Sequence, residues 1–244
     1  MTARTVAVIQ ARTGSTRLPG KVLLPLLGRP ILSRVVERAA RAAGIHEVVV
    51  ATTVDPSDDP IVELATTQGW AVERGSENDL LDRYVQTART RDADIVVRIT
   101  SDCPLIDPGL IDQTIEAFVE GGADYASNTL EPRTFPRGLD VEVVSRDALE
   151  EAWRDDADPA SREHVTPFLY RNPERFRLVR VSSPDDRSAH RWCVDVPEDY
   201  ELVRRIYEAL GSDAFGWEEA LAVLEAHPDW PLLNSHVSQK TLQA

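Results

Sequence analysis

Two aspartates and one cluster of cations are the side chains in this sequence whose types and spacing could do chemistry. The cations lie in Ile9-Gln10-Ala11-Arg12-Thr13-Gly14-Ser15-Thr16-Arg17-Leu18-Pro19-Gly20-Lys21, a loop with two arginines, a lysine, two glycines and small hydroxyl residues. Glycines let a main chain approach phosphate oxygens, and the cations neutralise their charge. The loop reads as the mouth of a nucleotide triphosphate site, or more plainly as a solvated basic loop. Composition favours the first. Of the 27 basic residues only Lys21 and Lys240 are lysines, and a compact ammonium that follows a moving phosphate is not replaced by a planar guanidinium.

Asp102 and Asp195 each follow apolar residues and precede a Pro-containing helix start, in Asp102-Cys103-Pro104 and Asp195-Val196-Pro197. Parallel sheets place ligands beyond the C-terminal ends of their strands. One or two carboxylates, with substrate phosphates and water, are the usual holders of Mg²⁺. A helix N-cap is the alternative for Asp195, and an ordinary loop carboxylate for Asp102.

The elements that must position these residues alternate between strand and helix. Strands are expected at Val6–Ile9, Val48–Ala51, Trp70–Glu73, Ile95–Ile99 and Asp124–Ser127. Helices are expected between them, over Pro30–Ala43, Pro60–Gln68, Asn78–Arg89 and Pro108–Glu120. This order predicts an α/β fold, a doubly wound and mostly parallel sheet. After Asn128 the rhythm changes: Thr129–Arg137 reads as a loop, Leu139–Val144 as an alternating strand, and Asp147–Arg154 and Ser161–Tyr170 as helices. Arg177–Val181 and Trp192–Val194 read as strands, Pro184–Ala189 as a turn, and Pro197–Leu210 and Trp217–Ala226 as helices. The tail after Leu233 is expected to be mobile.

The formal charge of −14 over 244 residues argues against a general nucleic-acid binder, which needs a basic surface. It also sets off the cations of residues 12–21 as a local reversal of field suited to an anion. No apolar run approaches the roughly 20 residues that span a bilayer, so no membrane partner is expected. The N-terminal residues lack the charged region, apolar stretch and cleavage site of a secretory signal, so secretion is not expected. Two cysteines make no disulfide framework, which predicts a cytoplasmic location. Cys103 directly follows Asp102 and Cys193 lies two residues before Asp195, with core packing and a redox or metal role as the two readings.

Arg12-x-x-Ser15-x-Arg17-x-Pro19-x-Lys21, Ser101-Asp102-Cys103-Pro104-Leu105 and Val194-Asp195-Val196-Pro197-Glu198-Asp199 resemble, in order, the signatures of the sugar-acid cytidylyltransferases. That family activates 3-deoxy-manno-octulosonate and the acylneuraminates. The likeness is strongest to its spore-coat polysaccharide branch, with counterparts to Gly75-Ser76-Glu77-x-Asp79-x-Leu81-x-Arg83 and Gly138-Leu139-Asp140-Val141-Glu142-Val143. It runs over roughly residues 4–210.

The resemblance implies a nucleotide-diphospho-sugar transferase fold in one domain, residues 1–244. The segment 129–190 would be a small α+β excursion serving acceptor binding or formation of a homodimer. It implies CTP as donor, Mg²⁺ as cofactor, and attack of an acceptor oxygen on the α-phosphate. The nucleotide set would be Ala11, Arg12, Gly14, Ser15, Arg17 and Lys21 with Ser76 and Arg83. Lys21, Arg12, Asp102 and Asp195 would be catalytic, and the two aspartates the metal ligands.

The acceptor stays open between a sugar acid, a sugar or alditol phosphate and a phosphonate. Asp140 and Glu142 alternate onto one strand face, toward acceptor hydroxyls or toward solvent. Arg98, Arg133 and Arg137 would grip an anionic acceptor or form ion pairs. Glu163-His164 offers acid–base work or a structural histidine. Competing functions are a nucleotidyltransferase using another NTP, a glycosyltransferase of the same fold, and a non-catalytic nucleotide-binding regulator. Ser101-Asp102-Cys103 lacks the Asp-x-Asp motif common in the glycosyltransferases.

Overall fold

The computed structural model describes residues 3–239, and Lys240 lies outside them. The strands are β1 Thr5–Gln10, β2 Pro25–Leu26, β3 Arg29–Pro30, β4 Glu47–Thr53, β5 Ala71–Gly75, β6 Ile95–Thr100, β7 Tyr125–Ser127, β8 Glu142–Ser145 and β9 Leu178–Arg180. The α-helices are α1 Ile31–Ala39, α2 Asp59–Gln68, α3 Leu80–Thr90, α4 Pro108–Gly121, α5 Arg146–Asp155, α6 Pro159–His164, α7 Pro167–Arg171, α8 Pro197–Leu210 and α9 Trp217–Ala226. Among the described residues no helix is long and apolar enough to cross a membrane.

Seven strands form one sheet in the order β5-β4-β1-β6-β8-β7-β9, and β2 and β3 make a separate small hairpin. Neighbours pair in parallel throughout, except where β8 runs antiparallel to β6 and β7. The doubly wound, mostly parallel sheet expected from the sequence is therefore present, and β8 and β9, drawn from residues 129–190, extend it.

The sheet is buried on both faces, as parallel sheets are. Along β1, Ala7 and Ile9 join a core layer that includes Ile31 and Leu32 of α1, Leu110 and Ile111 of α4, and Leu202 and Ile206 of α8. Val6 and Val8 face the opposite layer, with Leu81 and Tyr84 of α3 and Leu149 of α5. Helix ends follow local chemistry. Asp107 accepts the Leu110 N–H at 2.9 Å ahead of Pro108, and Gly122 closes α4 at φ 55°. Proline without an N–H suits the first turn, and glycine suits a left-handed cap.

Four expectations need correction. Leu139–Val144 pairs only from Glu142 onward. Trp192–Val194 forms no strand: it lies extended, with one bridge between Arg191 and Arg137 and the Val194 N–H donating to the Asp102 carbonyl at 2.8 Å. The helix expected over Ser161–Tyr170 splits into α6 and α7. At the break, buried Val165 has φ 71° and the Thr166 N–H reaches the His164 carbonyl at 2.9 Å, the strained form of γ-turn. Pro167 then starts α7 without a donor. The segment after Leu233 is anchored as far as it is described: the Asn234 amide donates to the Arg191 carbonyl and the Asp199 carboxylate at 2.9 and 2.8 Å.

Candidate active site

From β1 the chain crosses to β4 and β5 on one side and returns as β6 on the other, so the winding reverses between β1 and β6. Ligands of open α/β sheets bind beyond the strand ends at such a reversal. A cleft of about 940 Å³ opens there, walled by the loop after β1, the loop after β6, the segment 193–195 and the end of α6.

The loop after β1 is held from beneath. The Asp58 carboxylate accepts the Thr13 N–H at 2.7 Å and the Thr13 hydroxyl at 2.8 Å. Burial alone would raise the Asp58 carboxyl, but hydrogen bonds from Thr53 and Thr13 outweigh it and hold it below the usual range. The Gly20 N–H closes the loop onto the Thr13 carbonyl at 3.0 Å, and Gly20 enters the next turn at φ 68°. Ala11, Arg12, Gly14, Ser15, Arg17 and Lys21 all line the cleft. A Cβ built on Gly14 would meet nothing within 4 Å, so the main chain there faces open space.

Lys21 joins the two aspartates. Its Nζ stands 2.7 Å from Asp102 Oδ2 and 2.8 Å from Asp195 Oδ1, and its side chain is 12% exposed. Burial opposes its charge, but Asp102 and then Asp195 outweigh burial and raise its pKa above the ordinary lysine range. Asp195 is the mirror case. Burial would raise its carboxyl, and Lys21, followed by Arg17 and Arg191, holds it below the usual range. Arg17 approaches Asp195 Oδ2 at 3.0 Å. Asp195 does not cap α8: Asp199 does so, accepting the Asp195 and Val196 N–H groups at 3.0 and 3.2 Å. The Asp195 carboxylate is thereby left to the cleft.

The donor set suits a hard divalent ion. Two carboxylate oxygens already converge on one cationic atom, and among the described residues no group of three or more His, Cys, Asp or Glu is placed to enclose a metal. Mg²⁺ is held in this way, by one or two carboxylates with substrate phosphates and water.

Other expected residues fall differently. Glu142 is buried away from the cleft, taking hydrogen bonds from Arg98, Thr166 and, at 2.7 Å, the Tyr125 hydroxyl. Arg98 lines the cleft but is committed to Glu142, its direct partner across β6 and β8. Asp140 lines the cleft outside any strand and is gripped by the two terminal nitrogens of Arg133 at 2.6 and 3.2 Å. Arg137 lines the cleft with no side-chain partner among the described residues. Ser76 stands outside the cleft wall, and its carbonyl accepts Arg83 Nε and Nη2 at 3.1 and 2.5 Å; Arg83 itself lines the cleft.

His164 reaches the cleft half-buried, and burial and the nearby Arg98 keep its pKa below the usual value. Cys103 and Cys193 are both buried free thiols whose pKa values burial pushes up, which agrees with packing and not with thiolate chemistry. The reading of the sequence missed Asp58, Arg191, Asn234 and Gln239. The one local signal was Arg191, a cation four residues before Asp195.

An open, mostly parallel sheet with clustered cations and paired carboxylates at its reversal point defines an α/β nucleotidyltransferase. The sequence pattern of the Cytidylyltransferase family matches residues 6–240, and the chain belongs to that family of enzymes. A cytidylyltransferase from Leptospira borgpetersenii serovar Hardjo-bovis superposes at TM-score 0.90 with 34% identity, over 99% of this chain and 100% of that one. The spore coat polysaccharide biosynthesis protein SpsF of Bacillus subtilis is 34% identical over 91% of this chain and 94% of its own. A 3-deoxy-manno-octulosonate cytidylyltransferase of Geotalea uraniireducens is 36% identical over 86% and 94%.

Proposed function

We propose that the protein transfers CMP from CTP to an anionic sugar-type or phosphonate acceptor, with Mg²⁺ as cofactor. The observation that carries the reading is the Lys21 ammonium bridging Asp102 and Asp195 at the mouth of the cleft. Main-chain groups at Ala11 and Gly14 and the side chains of Arg12, Ser15, Arg17 and Lys21 would bind the triphosphate, with Arg83 behind them. Asp102 and Asp195 would hold Mg²⁺, which when bound neutralises charge on phosphate oxygens. An acceptor oxygen attacks the α-phosphorus in line, and a hydroxyl acceptor gives up its proton to solvent. The bond from that phosphorus to the bridging oxygen breaks, and pyrophosphate leaves with the electron pair. The residues act by positioning and charge neutralisation, without a covalent enzyme intermediate.

Arg137, which has no side-chain partner among the described residues, is the group offered to the acceptor's charge. The reading includes a cytoplasmic homodimer built through residues 129–190, expected to sediment at about twice 27.1 kDa. The test is pyrophosphate release from CTP and Mg²⁺ across a panel of sugar acids, sugar and alditol phosphates and phosphonates. Release with an anionic acceptor that falls at least about 100-fold in Asp102→Asn supports the assignment. Release with neutral sugars alone overturns the acceptor class.

A further inference from the structure

A buried network behind the candidate metal site sets the orientation of Asp195. Arg191 is 8% exposed, and each of its three guanidinium nitrogens donates to a side chain. Nη2 donates to Asp195 Oδ2 at 2.7 Å, Nε to Asp199 Oδ1 at 2.9 Å, and Nη1 to Gln239 Oε1 at 2.5 Å. Asp199 is wholly buried. It also caps the start of α8 through the Asp195 and Val196 N–H groups. Asn234, itself buried, cross-links the pair by donating to the Arg191 carbonyl and to Asp199 Oδ1. Gln239 lines the cleft.

The two oxygens of Asp195 are thus divided. Oδ2 takes Arg191 and Arg17, while Oδ1 faces Lys21 and, through it, Asp102 Oδ2. A planar fork that holds one carboxylate oxygen at one tine and a buried carboxylate at another fixes the rotamer of the first. A lysine here would have to reach both from a single nitrogen, without the fixed spacing of the fork.

We propose that Arg191 is a positioning residue that presents Asp195 Oδ1 to the divalent ion, and that the C-terminal segment, through Asn234 and Gln239, belongs to the active site as the clamp on Arg191. This rests on the reading of Asp102 and Asp195 as metal ligands. Partners that orient a metal ligand from behind are worth about 10–100-fold in metal affinity.

The experiment is a Mn²⁺ titration of the CTP-bound protein followed by electron paramagnetic resonance, with CTP affinity measured in EDTA and melting temperature as controls. Arg191→Lys and Asn234→Ala are the test variants, and Asp102→Asn checks the underlying reading. Asn234→Ala retains Arg191 and both aspartates, so it stays informative if Arg191→Lys fails to fold. The expected result is Mn²⁺ binding weakened roughly 10-fold or more in each folded test variant, with CTP affinity in EDTA within about twofold. Wild-type Mn²⁺ affinity in the folded test variants, with binding lost in Asp102→Asn, overturns the role of Arg191 and leaves the metal site standing. Unchanged Mn²⁺ affinity in Asp102→Asn overturns the metal reading and the inference with it.

Discussion

Lys21 stands where two carboxylates converge, and that position decides what its replacement should do. On the proposed reading Asp102 and Asp195 would hold a divalent ion, and the Lys21 ammonium would then be free to turn toward the phosphates and meet the charge that develops during attack. Interactions stronger in the transition state than in the ground state appear in the rate. Lys21→Arg should therefore lower the single-turnover rate about 100-fold, or 2.7 kcal/mol, while changing the CTP dissociation constant only a few-fold. A wild-type rate would reduce position 21 to generic positive charge. In nucleotide-free protein the same ammonium, paired with both carboxylates, would compete with a metal bound there. Lys21→Met should tighten Mn²⁺ binding at least about tenfold, a modest share of the ion-pair energy near a protein surface; equal or weaker binding would remove Lys21 from the metal position. The loop cations and Asp102 were legible from residue type and placement after a strand, and Asp195 from its type and the proline helix start that follows it, since the strand expected before it does not form. Asp58 and Arg191 were not, since each acts through partners distant in sequence or packed in the interior: Thr13 lies 45 residues from Asp58.

The extended segment 191–195 reaches the end of β6 because the loop at residues 137–138 lets it pass. Gly138 has φ +98°, and a Cβ there would stand 2.5 Å from the Cys193 nitrogen and the Trp192 carbonyl carbon. Those atoms are backbone, so they cannot swing aside. Gly138→Ala should cost roughly 2–4 kcal/mol, lowering the melting temperature by roughly 5–15 °C for a chain of this size. Thermal unfolding followed by circular dichroism checks it, and an unchanged melting temperature would show that the loop relaxes freely. The parallel strands β1, β4 and β6 were legible as apolar runs, and α4 and α8 from proline starts and glycine ends. The register of β8 was not. Alternation at 139–144 predicts a strand but not its antiparallel insertion beside β6, which pairs Arg98 with Glu142 and turns two candidate acceptor contacts into one buried ion pair. The α6–α7 break was equally hidden, because nothing in Glu163-His164-Val165-Thr166 announces a strained turn.

At the scale of the whole molecule, an acidic chain gathers Arg12, Arg17, Lys21, Arg83 and Arg137 around one cleft at the reversal point of its sheet. The fold class was legible because strand–helix alternation permits few topologies. The base and the acceptor were not, because spacing alone does not say which side chains will face a ring or a sugar. On the proposed reading this cleft is a CTP site completed by a divalent ion at Asp102 and Asp195. The most direct measurement is the melting temperature of the wild-type and Asp102→Asn proteins with Mg²⁺ and each of CTP, UTP, ATP and GTP in turn. A ligand that binds only the folded state stabilises it by about 2.7 kcal/mol at 100 times its dissociation constant, or roughly 5–10 °C here. A rise of that order is expected with CTP and Mg²⁺, with clearly smaller rises for the other three and loss of the Mg²⁺-dependent part in Asp102→Asn. Equal rises with all four nucleotides, or a CTP effect indifferent to both Mg²⁺ and Asp102, would contradict that reading.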